Sequence, residues 1–305
     1  MHPTRRFALA FFVIAWATTV HPAKRVLAAS APWQAASQTS QRATLQPVAA
    51  TAADIPFNSS IQPDIPAEQQ LLQLANSARR QAGAPPLAID PGLSQAARIH
   101  AQAMIQAQQL SHQFAGEPAL PQRLAAPTEL QLDSEGENVA FDYDAQHGHE
   151  HLMLSPPHRA NLLNPAYNVI GLGVIRSGDK LFIVQDFGHA LPSYSPAEWK
   201  ARIAAAVNQA RRQSRQPDLQ RHDSGVTDDA ACSMARANRL GTDPIHDLAE
   251  RFTVLTYTSL HPETLPNEAA HAIASQNLKE FSIGACYAHT DTYPTGVYWI
   301  VLTLQ

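Results

Sequence analysis

Cysteine is nearly absent from this chain. Its 305 residues hold only Cys232 and Cys286, too few for a cysteine-stapled scaffold and an even number that suits an oxidising compartment. Long basic runs are missing as well. A formal charge of −4 with a pI near 6.4 argues against nucleic acid or an anionic membrane surface as the main partner. Beyond the first residues no apolar run is long enough to span a membrane. No Gly-x-Ser-x-Gly elbow is present, which disfavours a serine hydrolase. Gly171-Leu172-Gly173 opens no helix, which removes a dinucleotide fingerprint. What remains is an ordinary globular composition, 45% apolar, at a length that permits one large domain or two small ones.

The first residues read as an export signal. Met1 to Arg6 is basic, Phe7 to Trp16 leads an apolar run too short for a comfortable membrane span, and Leu27-Ala28-Ala29-Ser30 offers small residues for cleavage. Residues 1–29 are therefore expected to be a signal peptide, and the protein to be secreted or periplasmic with no transmembrane segment after processing. The basic approach from His21 to Arg25 leaves an uncleaved anchor as the alternative. Residues 30–63, rich in Ala, Ser, Thr, Gln and Pro without an apolar period, read as a disordered tether.

Order is expected from Asp64, a helix cap followed by Pro66 and by Ala67, Leu71, Leu74, Ala75 and Ala78 at helical spacing, with a stop at Gly83. Asp90-Pro91 caps a second helix ending near Leu110, whose inner stripe includes His100, read as a packed core imidazole. Pro118 to Pro127 reads as irregular, and Glu137 to Phe141 as a short strand entered through Gly136. Asp144 to Leu154 reads as a helix, and Ser155-Pro156 as the start of a helical turn carrying His158. Val169 to Ile175 and Leu181 to Phe187 are β-rich runs joined by a hairpin turn.

The chemistry gathers in three segments, each beside turn or cap residues: Ser111-His112, Glu135-Gly136-Glu137-Asn138-Val139, and Ser155-Pro156-Pro157-His158-Arg159-Ala160-Asn161. With Asn76…Arg79, Ile170-Gly171-Leu172-Gly173-Val174 and Val184-Gln185-Asp186-Phe187-Gly188, they stand in an order that resembles the bacterial branch of the CAP superfamily, also called SCP-like. The resemblance covers roughly Asp64 to His189. It implies an α+β fold, an α-β-α sandwich around a small antiparallel sheet, with a cleft that holds two His and two Glu in the eukaryotic branch. His112 matches the first family histidine and Glu137 the glutamate of Gly-Glu-Asn. His158 stands where bacterial members have Ser-Pro-Gly-His-Arg, with Pro157 replacing the glycine.

Neutral His and ionised Glu suit zinc or another divalent metal, so His112, Glu137 and His158 are candidate metal ligands. The same three side chains also read as a hydrogen-bonded network that pins loops together. The leading expectation is a secreted protein that takes a small-molecule, lipid or cell-envelope ligand in this His/Glu-lined cleft, with or without a metal. The alternative is a metal-dependent hydrolase, a peptidase with Glu137 as its catalytic base. A second location for such an enzyme is His147-Gly148-His149-Glu150-His151, which fits H-x-x-E-H with His147 and His151 one helical turn apart.

The second half echoes the first. Leu74-Ala75-Asn76-Ser77-Ala78-Arg79-Arg80-Gln81 recurs 132 residues later as Ala206-Val207-Asn208-Gln209-Ala210-Arg211-Arg212-Gln213. Met104 and Leu110 answer to Met234 and Leu240, and Ile170-Gly171 to Ile283-Gly284. Thr242 stands at the His112 position, and no Gly-Glu-Asn follows. The expected organisation is therefore a CAP-like domain over 64–193 and a shorter, degenerate CAP-like repeat over 195–305, divided at the Pro- and Ser-punctuated stretch Leu191 to Pro196. Cys232 falls on the second helix of the repeat and Cys286 on its strand, close enough for a disulfide if that helix packs on that sheet.

Overall fold

Two aspartates set the heads of the first two helices. Asp64 accepts from the Ala67 N–H at 3.1 Å and Asp90 from the Leu93 N–H at 2.7 Å, satisfying donors otherwise orphaned at the starts of α1 (Ile65–Gln81) and α2 (Pro91–Ala107). The computed structural model describes residues 26–29 and 62–305. The expected leader, apart from Val26–Ala29, and nearly all of the expected tether lie outside the described residues. Pro63, the last residue expected in the tether, instead bridges Ile175, while the Asp64 N–H donates to the Val174 carbonyl at 2.8 Å.

Two further expectations need correction. Residues 118–127 are not wholly irregular, since α3 (Leu120–Ala125) lies within them. The strand read over 137–141 is β3 (Leu132–Asp142), lengthened because its start also finds a partner strand. With β2 (Ala88–Ile89), β4 (Val169–Ser177) and β5 (Lys180–Ala190) it forms a sheet in the order β2-β4-β5-β3. The pairings are antiparallel except for the short parallel β2. Leu71, Leu172, Ile183 and Phe187 fill the layer beneath α1, α4 (Ala145–Leu154) and α5 (Pro156–Leu163). Ala97, Met104, Val139 and Val184 fill the layer beneath α2. This is the expected α-β-α sandwich. A Cβ on Gly171 or Gly173 would overlap the α2 backbone at Leu93 and Ala97, so that glycine pair serves close helix–sheet approach.

The second unit follows the same order of elements with one helix fewer, a single helix standing where the first has α4 and α5. It comprises α6 (Pro196–Gln213), β6 (Gln220–Arg221), α7 (Gly225–Ala237), α8 (Asp243–Ala249), β7 (Thr253–Ser259), α9 (Asn267–Ile273), β8 (Glu280–Ala288) and β9 (Val297–Leu304). Its sheet runs β7-β9-β8-β6, with β1 (Val26–Ala29) added in parallel outside β7. Removal of a leader after Ala29 would take β1 with it and leave the four-stranded order that the first unit also shows.

Both units are tied by a buried arginine. Arg79 donates to the carbonyls of Pro85, Leu162, Asn164 and Tyr167, and Arg211 to those of Pro217, Ile273 and Ser275. Asn76 with Leu87, and Asn208 with Leu219, make the same reciprocal pair of bonds. The strand match needs a shift of two: Gly284 lies against Thr227 and Asp228 as Gly173, not Gly171, lies against Ala97 and Arg98. Sequence alone misplaced it because both glycines follow an apolar residue.

Cys232 and Cys286 form a disulfide between α7 and β8, with Cα atoms 5.0 Å apart. Replacing both cysteines by serine is expected to cost the second unit roughly 2–4 kcal/mol, read from denaturant unfolding of the oxidised chain. Two titratable thiols in the unreduced, unfolded protein would contradict the bridge.

Candidate functional site

The site is built at the open edge strand β3. Alternation along the strand turns Glu137 and Val139 toward α2 and Asn138 toward α5. Glu137 pairs directly across the sheet with Asp186 of β5, and Asn138 with Gln185.

Glu137 is the hub on the α2 side. Its Oε1 lies 2.9 Å from His112 Nδ1, and its Oε2 accepts from Arg123 Nη2 at 2.9 Å. Arg123, from α3, also donates to the His112 carbonyl at 3.1 Å, fixing the loop that carries the imidazole. Burial works to raise the Glu137 pKa. The His112 hydrogen bond and the Arg123 and His100 charges outweigh it, holding the carboxyl below its ordinary value.

His100 is buried as expected but is more than a packed ring. Nδ1 meets Glu117 Oε1 at 2.6 Å and Nε2 meets the Ser111 carbonyl at 2.8 Å, so both ring nitrogens face acceptors. Glu117 also lies 3.8 Å from Arg123 Nε. Its burial, which would raise its pKa, is outweighed by His100, the Phe114 N–H and Arg123, which leave it lowered.

Asp186 completes the cluster. It is fully buried, and neither carboxyl oxygen has a hydrogen-bond partner among the described residues. Burial first, then the adjacent Glu137 charge, push its carboxyl well above the ordinary carboxylate range. Asp186 therefore keeps its proton where an ordinary aspartate would lose it. That proton supplies the donor otherwise missing between the two carboxyls.

On the other face an amide ladder fastens α5 to β3. Asn138 Nδ2 donates to the His158 carbonyl at 3.1 Å and to Gln185 Oε1 at 3.2 Å. Asn161 Nδ2 donates to the Glu137 carbonyl and to Asn138 Oδ1. His158 thus reaches the β3 edge from the side opposite to His112. Burial and the His112 charge lower the His158 pKa, which places the two imidazoles within electrostatic reach.

Residues 72–187 match the family model described as CAP: Cysteine-rich secretory protein family. This segment is a CAP domain. The chain is 32% identical over 115 residues to Uncharacterized protein YkwD of Bacillus subtilis (strain 168), covering 36% of this chain and 43% of that one, less than half the relative's length. Among solved structures, an extracellular protein containing an SCP domain from Bacillus anthracis str. Ames is 27% identical, with TM-score 0.38 and coverage of 41% of each chain. An outer surface protein from Borrelia burgdorferi is 18% identical, with TM-score 0.40, covering 43% of this chain and 98% of that one. Among the described residues no helix is long and apolar enough to cross a membrane.

A divalent metal fits the CAP site poorly as its side chains stand. Both Glu137 oxygens are engaged, one by a guanidinium that would repel a cation, and no three His, Cys, Asp or Glu side chains among the described residues are placed to hold one ion. The H-x-x-E-H segment lies on α4. His147 Nδ1 bonds Asp144 at 2.8 Å and His151 Nδ1 bonds Asp142 at 2.5 Å, so each ring leans on its own carboxylate.

In the second unit the same register positions carry Val254 and Thr303 for Glu137 and Asp186, and Leu255 and Leu302 for Asn138 and Gln185. The helix pairing puts Ala230 at the His100 position and Thr242 at that of His112. Sequence reasoning missed Arg123, Glu117 and Asp186. Two signals were present: an imidazole on an alanine-lined helix stripe needs buried acceptors, and an aspartate shared a strand face with Phe182 and Val184.

Proposed function

We propose that the chain is exported and that its CAP domain binds a polar ligand, a small molecule or a cell-envelope component, at His112 and His158 over Glu137. One observation carries this reading. The His112 side chain is 59% exposed, yet it is anchored on a Glu137 side chain that is only 3% exposed and that Arg123 also holds. An exposed side chain needs no such support for packing; orienting its free Nε2 toward a ligand does. His158, its pKa lowered by burial and by the His112 charge, adds a neutral imidazole within electrostatic reach of His112. No metal is required. The second unit, read as a degenerate repeat, keeps the core and lacks the site.

The full chain should sediment with an isolated, protein-stripped cell-envelope fraction, and His112→Ala should weaken that association roughly tenfold, the value of one or two charge-assisted hydrogen bonds. Unchanged sedimentation of His112→Ala would overturn the reading. Calorimetry with zinc separates the metal-dependent form, because heat that disappears in His112→Ala would mean that Arg123 leaves Glu137 when a cation enters.

A further inference from the structure

Tyr194 of the connecting stretch and Trp199, Tyr287 and Tyr298 of the second unit stand around one cavity of about 450 Å³ beside the junction of the two units. The ring centroids of Trp199 and Tyr298 are 6.1 Å apart and tilted by 51°. Those of Tyr287 and Tyr298 are 5.1 Å apart and tilted by 58°. Trp199 and Tyr298 are nearly buried and form the floor, and the Arg202 guanidinium lies 3.9 Å from the Tyr194 ring on one face, which leaves the half-buried Tyr287 and the other face of Tyr194 as the rings for a ligand to reach.

The aromatic set exceeds what the fold needs. The helix pairing places Ala67 at the position of Trp199, and the strand register places Arg176 and Leu181 at those of Tyr287 and Tyr298. None of those three counterpart positions of the CAP domain carries a ring.

The polar groups of the lining narrow the ligand. Lys200 Nζ lies 2.8 Å from Asp228 Oδ2, and Asp228 Oδ1 accepts from the Ala285 N–H at 3.2 Å, so the two charges cancel and no ion is called for. The Tyr298 hydroxyl accepts from Gln131 Nε2 at 3.2 Å and keeps its own hydrogen to donate. The Tyr287 hydroxyl is spent on the Thr295 carbonyl at 2.9 Å, and burial pushes its pKa up to about 12, so the ring stays neutral. An alkyl chain would bury the Tyr298 donor unpaired, and a small polar solute would leave the rings unused.

We propose that this cavity binds a neutral saccharide, one or two pyranose rings of a glycan. A pyranose offers a C–H face to an aromatic ring and a rim of hydroxyls to the Tyr298, Lys200 and Asp228 groups. The cavity falls in the ~300–1,000 Å³ range of small-ligand sites. The site is separate from the His112 cleft and does not depend on it.

The test titrates the full chain with two neutral tetrasaccharides, maltotetraose and the tetramer of N-acetylglucosamine, by ligand-observed NMR. At least one is expected to bind with Kd on the order of 0.1–1 mM. Tyr194→Ala and Tyr287→Ala, checked for native circular dichroism, should each weaken binding about tenfold or more. His112→Ala should leave it unchanged, which keeps this outcome distinct from that of the CAP cleft. The proposal is overturned if neither glycan binds at about 10 mM, if both tyrosine variants bind as the wild type does, or if binding follows His112 instead.

Discussion

Arg79→Met is expected to destabilise the CAP domain by roughly 3–5 kcal/mol, with Arg211→Met costing the second unit less. Arg79 is fully buried and its guanidinium donates to four carbonyls between 2.6 and 2.9 Å. Those carbonyls belong to the chain after α1, the end of α5 and the approach to β4, three segments with no ladder of their own at that point. Methionine keeps much of the volume but strands all four acceptors away from water. Lysine is expected to fare little better, because one ammonium cannot replace a planar fork that reaches in several directions. In the second unit Arg211 reaches three carbonyls and its Nη2 has no partner, so fewer acceptors are lost. Chemical denaturation of the two variants checks both the size and the order. Equal, small losses would show that the carbonyls find water.

Asp186→Asn is expected to remove a pH dependence from the stability of the CAP domain. The Asp186 carboxyl has its pKa raised by burial and by Glu137, so its contribution to stability is full below the ordinary aspartate pKa and is lost as pH rises toward the folded value. Over that window the wild type should lose about 1.4 kcal/mol per pH unit from this group. Asparagine keeps a donor toward Glu137 and has no proton to lose. The variant should therefore be the more stable protein in the upper part of the window, and the two stability curves should converge toward acid. Glu137 works with the opposite sign, since a lowered pKa contributes stability that is lost as pH falls. It is present in both proteins, so the difference between the curves isolates Asp186. Parallel curves would mean that Asp186 is ionised in the folded chain and has a donor other than its own proton.

Much of this protein was legible in its residues. Bringing His112 and Glu137 into one cleft rested on the CAP resemblance, whereas the capping aspartates, the apolar stripes of α1 and α2 and the β4–β5 hairpin rest on local chemistry. The recurrence of Asn76 and Arg79 as Asn208 and Arg211 was visible for the same reason, because each arginine serves a turn a few residues away. The Cys232–Cys286 bridge followed from element order alone.

What only the tertiary structure decided concerns groups brought together from distant segments. Arg123 sits in a proline-flanked stretch without periodicity, and its role depends on α3 lying over β3, which no local pattern states. Asp186 looks like an ordinary polar residue in a strand until register sets it opposite Glu137 inside the sheet. The two-residue shift that aligns Gly284 with Gly173 is likewise invisible in the chain, because both candidates follow an apolar residue and only contact with a helix backbone tells them apart. Residue types and spacings determine which elements form and which faces are apolar. Which ionisable groups share a desolvated volume, and hence where a proton is held, is set by packing across the sheet, where burial and neighbouring charge act over distances that sequence separation does not measure.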